Sequence, residues 1–179
     1  MRKTVVAPWT EHWLERYREE EALLKAVFPK EERVDIHHIG STSVSHIGYA
    51  KPIIDMLVVV KSIAKVDEYN EAMMRLGYEP RGEQGIAGRR YFAKGGDQRT
   101  HHVHIYEVGN PNIAYHLNFK AYLLHHPEEA KAYGELKLRL AKQFPDQVHE
   151  YQEGKASFCR EILRKAMSWA SGNADASHR

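Results

Sequence analysis

Asp55 is the residue whose type and position in this sequence most clearly suggest chemistry. It interrupts an apolar run at residues 53–60 that is typical of a strand buried on both faces. An ionised carboxylate in such surroundings is costly unless a cation meets it. The sequence therefore predicts a partner for Asp55, either a metal ion or a basic side chain such as Lys51 or an arginine.

A glycine and two hydroxyl residues, Gly40, Ser41 and Thr42, come before Asp55 at the end of another predicted strand. Backbone N–H groups and hydroxyls at such a turn can point at a phosphate. The same residues also suit an ordinary turn in which Ser41 caps a short helix. The aspartate on the next strand favours the phosphate interpretation.

A later predicted strand carries two histidines on one face. Side chains alternate along a strand, so His102 and His104 share a face and His101 points away. Imidazoles suit Zn²⁺, Mn²⁺ or Fe²⁺ better than Mg²⁺, and as neutral donors they can also hold a phosphate oxygen. A pair of histidines predicts a metal site only with a third ligand, such as Asp55 or Glu107. Hydrogen bonds to nearby tyrosines or carboxylates are the alternative.

Asp55 has no second carboxylate on its own strand face. Leu57 shares that face because side chains alternate, and a leucine cannot bind a cation. Asp55 therefore supplies at most part of a Mg²⁺ shell, with substrate phosphates and water providing the rest.

Basic residues elsewhere are candidates for holding phosphate. Arg89 and Arg90 lie in the densest basic patch, and only one of them can share a face with the histidine pair. His38 directly precedes the turn and is expected to reach the Asp55 pocket, whereas His37 is expected to face solvent.

Two tyrosine–lysine pairs occur at helical spacing in the C-terminal part: Tyr133 with Lys137, and Tyr151 with Lys155. This spacing is typical of a helix surface or packing seam, and the same lysines could form one wall of a cleft for an anionic ligand.

Composition limits the classes of partner. The 179 residues, 42% hydrophobic and 28% charged, suffice for one well-buried domain. A net charge of +2 is too balanced to favour nucleic acid or anionic lipid. No segment approaches a membrane span or a secretory leader, and the one cysteine, Cys159, excludes an internal disulfide. We therefore expect a cytoplasmic protein without a membrane or nucleic-acid partner.

The predicted elements form one α+β domain over residues 1–170. Its mixed sheet spans about residues 30–107 and its helices about residues 110–169, and the small polar tail at 171–179 is expected to fray. The individual elements are a helix at 10–28, strands at 34–39 and 52–60, a helix at 62–76, a hairpin of strands 86–94 and 99–107, and three helices opened by Asn110–Pro111, by Pro127 and after Pro145–Asp146.

Five segments together resemble the GrpB-like family, a branch of the nucleotidyltransferase superfamily. They are HHIGSTSV at 37–44, AKPIIDMLVVV at 50–60, THHVHIYE at 100–107, and the helical segments 118–141 and 146–158. The resemblance runs from about residue 9 to residue 158, nearly the whole chain. It implies a polymerase-beta-type nucleotidyltransferase core with a mixed sheet, followed by a C-terminal helical region.

The resemblance also implies a substrate and a cofactor. The substrate would be a nucleoside triphosphate or another phosphorylated small molecule, with an unknown acceptor. The cofactor would be a divalent metal, Mg²⁺ first, with Mn²⁺ or Zn²⁺ as alternatives because of the histidines. Gly40 and Ser41 would contact phosphate, Asp55 would bind the metal, and His104 would stand where the superfamily usually offers another carboxylate.

The chain departs from the superfamily pattern at several positions. Leu57 replaces the second carboxylate, which weakens two-metal catalysis. Ser45 and His46 stand where a Pro-Gly turn is common, and Lys120 with Ala121 replaces an Arg-Asp pair.

Three interpretations of function follow. In the first, Asp55 positions the metal of a nucleotidyltransferase, Lys51 and one arginine neutralise phosphate charge, and His102 or His104 orients phosphate or accepts a proton. In the second, the chain is a catalytically inactive nucleotide-binding or phosphate-binding accessory module, which the single carboxylate favours. The third is a histidine-rich hydrolase using Zn²⁺ or Mn²⁺.

Overall fold

The computed structural model describes residues 2–176. Within that range the strands are β1 (Ala7–Pro8), β2 (Arg33–Ile39), β3 (Tyr49–Ala50), β4 (Ile54–Val60), β5 (Tyr78–Pro80), β6 (Arg89–Lys94) and β7 (His101–Glu107). The α-helices are α1 (His12–Val27), α2 (Asn70–Arg75), α3 (Pro111–His125), α4 (Pro127–Gln143) and α5 (Val148–Ala176). Short 3₁₀ helices occupy Ser41–Ser43, Ser45–Ile47 and Ala64–Tyr69.

The chain divides into two compact units. The sheet unit contains residues 10–40 and 53–113, and the helical unit contains the other described residues, 2–9, 41–52 and 114–176.

The sheet unit is built on five strands in the order β2-β4-β7-β6-β5. β4 and β7 run parallel, while the other neighbours are antiparallel, so the sheet is mixed. β4 is a central strand, and its apolar side chains are buried on both faces, as an uninterrupted apolar run predicts. Asp55 is the partly exposed exception on β4.

The helical unit packs α3, α4 and α5 around an apolar cluster. Its buried members include Tyr122, Leu123, Tyr133 and Ile162. Helix α4 approaches the turn at Ser45–Ile47 so closely that a Cβ on Gly134 would lie 1.6 Å from the Ile47 carbonyl oxygen. Only glycine allows that approach, so its position on α4 sets where the turn can sit. Strands β1 and β3 form a separate antiparallel pair in this unit.

The expected α+β architecture, with its mixed sheet, β6–β7 hairpin and three C-terminal helices, is confirmed. The helix expected at 62–76 is instead a 3₁₀ segment followed by α2, and the short edge strand β5 was not expected. The expectation of fraying is wrong for residues 171–176, which continue α5. The Ser171 hydroxyl donates to the Met167 carbonyl one turn earlier, at 3.1 Å. Residues 177–179 lie outside the described residues.

No helix within residues 2–176 is both long enough and apolar enough to cross a membrane.

Candidate functional site

The pairing of β4 with β7 brings Asp55 to both histidines. Asp55 stands opposite His102 and Leu57 opposite His104, so the three polar side chains share one face of the sheet. Asp55 Oδ1 lies 3.3 Å from His102 Nδ1 and 3.3 Å from His104 Nε2. The structure therefore joins these three predicted site residues in one cluster, which we call the Asp55 cluster.

Asp55 is held as an ionised carboxylate in this cluster. Burial raises the pKa of Asp55, but the hydrogen bonds from His102 and His104 outweigh it and leave that pKa well below its usual range. The side chain is 30% exposed, so solvent or a ligand can reach it. An accessible carboxylate that stays ionised can accept a hydrogen bond from a bound hydroxyl.

Each imidazole is backed by an arginine. Arg99 NH1 lies 3.4 Å from His102 Nε2, and Arg89 NH1 lies 3.4 Å from His104 Nδ1. The buried Arg89 also donates to the carbonyl oxygens of Glu83 and Gln84, at 3.1 and 2.9 Å. The Arg89 guanidinium is thus held both by the loop before β6 and by an imidazole.

Tyr91 is a member of the site that the sequence prediction did not include. Its ring centroid lies 5.5 Å from that of His102 and 5.3 Å from that of His104, and the Arg89 guanidinium stacks 4.7 Å from it. Burial, followed by the negative charge of Asp55, raises the pKa of Tyr91. The available signal was its spacing from Arg89, since alternate residues of a strand share a face.

Gly40 forms part of the wall beside the carboxylate. Its φ is +73°, and a Cβ built there would lie 2.9 Å from Asp55 Oδ2. A side chain at this position would be strained by the backbone and would also collide with the carboxylate. The predicted glycine of the turn therefore serves the close approach of the backbone to Asp55.

Two predicted phosphate-binding residues lie on the opposite face of the sheet. Arg90 pairs with Asp67, Nε to Oδ1 at 2.7 Å, so Arg89 is the arginine that shares the histidine face. His38 is buried and stacks on Tyr17 with ring centroids 4.6 Å apart. The expectation that His38 reaches the Asp55 pocket is wrong, because its neighbour Ile39 is the residue paired with Asp55.

His37 was expected to face solvent. It lies on the Asp55 face, 31% exposed, and its Nε2 is 3.1 Å from Asp35 Oδ2. It is therefore only partly solvated and belongs to a local pair at the sheet edge.

The turn after Gly40 belongs to the helical unit. The Ser41 side chain hydrogen-bonds to Tyr133 of α4. Thr42 is buried, and its carbonyl oxygen accepts a hydrogen bond from Trp9 Nε1 at 3.0 Å. The turn is thus held from both sides, and the Ser41 hydroxyl is positioned by its tyrosine partner.

Lysines of the helical unit gather around two buried tyrosines. Lys51 Nζ lies 4.4 Å and Lys155 Nζ 5.4 Å from the ring centroid of Tyr151. Lys137, 2% exposed, lies 4.5 Å from the ring centroid of Tyr133. We call Lys51, Lys155 and Tyr151 the lysine–tyrosine cluster. The buried Tyr151 hydroxyl has no hydrogen-bond partner among the described residues.

Comparison with known proteins identifies the family. A family model described as GrpB protein matches residues 3–165. The chain belongs to the GrpB family. This confirms the family resemblance seen in the sequence segments.

The chain is similar to proteins of known sequence and of known structure. UPF0157 protein YqkA of Bacillus subtilis (strain 168) is 49% identical over 175 residues, which cover 98% of this chain and 50% of YqkA. The chain thus spans half the length of that relative. The crystal structure of conserved protein GrpB from Enterococcus faecalis has a TM-score of 0.88 and 42% identity, covering 93% of this chain and 99% of that chain. Cid1 in complex with the UTP analog UMPNPP has a TM-score of 0.46 and 14% identity, over 75% of this chain and 42% of that chain.

The Asp55 cluster of this GrpB-family chain does not fit a shared metal ion as it is arranged. Within residues 2–176, no group of three or more His, Cys, Asp or Glu side chains is placed to hold one. A metal-bound histidine normally donates its other ring N–H to an acceptor. The other ring nitrogens of His102 and His104 face arginines, which only donate. The divalent cofactor stays a prediction of the resemblance, and the imidazoles are better described as hydrogen-bond donors to Asp55.

Proposed function

We propose that this GrpB-family protein binds a nucleoside triphosphate, or a closely related phosphorylated small molecule, and transfers its nucleotidyl group to an acceptor hydroxyl. The observation that carries the proposal is the Asp55 cluster: a partly exposed carboxylate, held ionised by two imidazoles on an otherwise apolar strand. Burial of an ionised group is costly, and a carboxylate with a perturbed pKa that solvent can still reach is typical of functional sites.

Asp55 would accept the hydrogen bond of the attacking hydroxyl. The acceptor oxygen forms a bond to the α-phosphorus, the bond from that phosphorus to the bridging oxygen breaks, and pyrophosphate leaves. The hydroxyl proton passes to Asp55 Oδ2 and from there to solvent. Because the pKa of Asp55 is low, its main contribution is to orient the hydroxyl, and the proton does not stay on it.

The phosphate-binding part of the proposal rests on the helical unit taken by itself. Lys51 and Lys155 present two ammonium groups to one tyrosine ring, that of Tyr151. Ammonium groups and hydroxyls are suitable donors for phosphate oxygens. The Ser41 hydroxyl, positioned by Tyr133, is a further donor in the same unit.

Pyrophosphate release tests the catalytic part. The protein is incubated with each of the four ribonucleoside triphosphates and Mg²⁺ or Mn²⁺, with water and glycerol as acceptor hydroxyls. Wild type should release pyrophosphate with at least one of them, Asp55→Asn should lose this release, and Asp67→Asn should retain it. Asp67 is the matched control because it pairs with Arg90 on the opposite face of the sheet. Release that survives Asp55→Asn would contradict the proposal.

The alternative, an inactive nucleotide-binding or phosphate-binding accessory module, has one observation in its favour. Leu57 is fully buried at the place where a second carboxylate would stand. Titration calorimetry with a non-hydrolysable triphosphate separates the two functions. Saturable binding that Lys155→Met weakens, without pyrophosphate release from any triphosphate, would assign the accessory function. Absence of binding would contradict both.

A further inference from the structure

We infer that Arg99 and Arg89 are positioning residues that select one tautomer for each histidine of the Asp55 cluster: Nδ1–H for His102 and Nε2–H for His104. The two histidines would thereby be hydrogen-bond donors to Asp55 and would not be metal ligands on its side. The inference concerns the same side chains as the proposed function, but it rests on hydrogen-bond chemistry alone.

The first step is the direction of the outer hydrogen bonds. A guanidinium carries five N–H donors and no acceptor, so the ring nitrogen that meets it must offer a lone pair. Arg99 meets Nε2 of His102, and Arg89 meets Nδ1 of His104, each at 3.4 Å. Those two nitrogens are therefore the unprotonated ones.

The second step follows for the inner nitrogens. A neutral imidazole has one N–H, so the proton must lie on Nδ1 of His102 and on Nε2 of His104. These are the two atoms that lie 3.3 Å from Asp55 Oδ1. The chain of contacts from Arg99 through His102, Asp55 and His104 to Arg89 is then consistent at every link, with each donor meeting an acceptor.

The third step concerns metal choice. A metal-bound imidazole needs a lone pair toward the ion and an acceptor behind its other N–H. Here the group behind each ring is a guanidinium, which is a donor. If the ring nitrogen nearest Asp55 bound a metal, the ring proton would move to the other nitrogen. Two donors, the ring N–H and the guanidinium, would then face each other. The arginines thus disfavour Zn²⁺ and similar ions between the imidazoles and Asp55, although the residue types alone would suit them.

The inference is specific because the two rings turn different nitrogens toward Asp55. His102 uses Nδ1 toward Asp55 while His104 uses Nε2, so the two tautomers must differ. A purely structural role for the arginines, such as bracing the loops, would not require opposite tautomers in neighbouring histidines of one strand.

Long-range ¹H–¹⁵N correlation spectra of histidine side chains test the inference directly, since they distinguish Nδ1–H from Nε2–H. Wild type should show the Nδ1–H form for His102 and the Nε2–H form for His104. Arg99→Met should shift the His102 tautomer ratio by about tenfold, as loss of a charged donor predicts, and should leave His104 unchanged. Arg99→Lys, which keeps a donor, should restore the wild-type ratio.

Arg90→Met is the matched control, because Arg90 lies next to Arg89 on β6 but pairs with Asp67. It should leave both tautomers as in wild type. An Nε2–H form for His102 in wild type, or an unchanged His102 in Arg99→Met, would overturn the inference. The spectra need no substrate, so this result is separable from the pyrophosphate assay.

Zinc titration gives a second measurement. Arg99→Glu places an acceptor behind His102 and should strengthen Zn²⁺ binding by about tenfold or more relative to wild type. The gain should disappear when His102→Ala is added. Equally tight Zn²⁺ binding by wild type and Arg99→Glu would contradict the selection against metal.

Discussion

The histidines of strand β7 lie near two carboxylates on opposite faces of the same sheet. The two carboxylates differ in their exposure to solvent. On the face that carries α1, Glu20 is 5% exposed and lies near His101. On the other face, Asp55 is 30% exposed and lies against His102 and His104. Alternation along one strand therefore separates two acid–histidine groups that are adjacent in sequence.

Glu20 accepts two hydrogen bonds from side chains of the sheet unit, both at Oε1. It accepts hydrogen bonds from the Tyr78 hydroxyl at 2.7 Å and from Lys94 Nζ at 2.9 Å. Burial raises the pKa of Glu20, but these two donors outweigh it and the pKa ends below its usual value. Because a lysine supplies a full positive charge, this buried group is neutralised and enclosed.

Asp55 keeps both its charge and its access to solvent. Its partners are two imidazoles, and the ring nitrogens that point away from Asp55 face arginines. Lys94 covers the Glu20 carboxylate, whereas these rings leave the Asp55 carboxylate partly exposed. A buried pair that is complete in itself serves the fold, whereas an ionised group left partly open is available to a ligand. The contrast explains why the proposed function is placed at Asp55 and why Glu20 is described as part of the folded core.

Removing Glu20 should have the largest effect on stability. Glu20→Ala leaves the Tyr78 hydroxyl and the Lys94 ammonium without their acceptor, which should lower the free energy of unfolding by about 3 kcal/mol or more. Asp55→Ala should cost only about 1 kcal/mol, since its histidines are partly hydrated. Urea unfolding of both variants measures the difference. Equal losses would remove the distinction between the two carboxylates.

The next effect is a pH dependence of the free energy of unfolding, which we attribute to His101 on the face that carries α1. Burial lowers the pKa of His101 to about 4, while an unfolded histidine titrates near 6.5. Between these pH values the unfolded chain binds a proton that the folded chain does not. The free energy of unfolding should therefore fall as the pH decreases from about 6.5 to about 4, by about 2 to 3 kcal/mol.

One variant assigns that pH window. His101→Gln should flatten the dependence between about pH 6.5 and 4, measured by urea unfolding at a series of pH values. A dependence that stays as steep in His101→Gln as in wild type would show that another group is responsible.

A smaller effect is expected at Gly40, where an added Cβ would meet the Asp55 carboxylate. Gly40→Ala should cost about 2 kcal/mol, because the new Cβ meets both a positive φ and Asp55 Oδ2. Gly85→Ala is the control, since its φ is +82° and no atom lies within 4 Å of its Cβ position. It should cost about 1 kcal/mol from the backbone alone. Chemical denaturation of the two variants isolates the steric part, and identical values would show that Asp55 moves aside freely.

Local signals in the sequence were sufficient for much of the fold. The apolar run around Asp55 predicted a central strand, and proline at the first position of α3 and α4 predicted where those helices begin. The alternation in β7 correctly separated His101 from His102 and His104. Each of these inferences needs only neighbouring residues.

Inferences that need the pairing of distant strands were less secure. Whether His37 or His38 shares a face with Asp55 depends on the β2–β4 register, which pairs Ile39 with Asp55, and no local pattern contains that information. The arginines behind the imidazoles were visible only as a basic patch, because their partners come from other segments. Tyr91 was missed although its spacing from Arg89 places the two residues on the same strand face.

The smallest effect should distinguish the two adjacent arginines of β6. Arg90 makes a surface pair with Asp67, 20% and 53% exposed, so Arg90→Ala should cost only about 0.5 kcal/mol. Arg89 is buried and donates to two loop carbonyl oxygens and to His104, so Arg89→Ala should cost several times more. Salt should reduce the Arg90 effect and leave the Arg89 effect unchanged, because screening acts on exposed charges. Unfolding at low and high salt checks this, and a salt-sensitive Arg89 would mean that its guanidinium is not the fixed support of the Asp55 cluster.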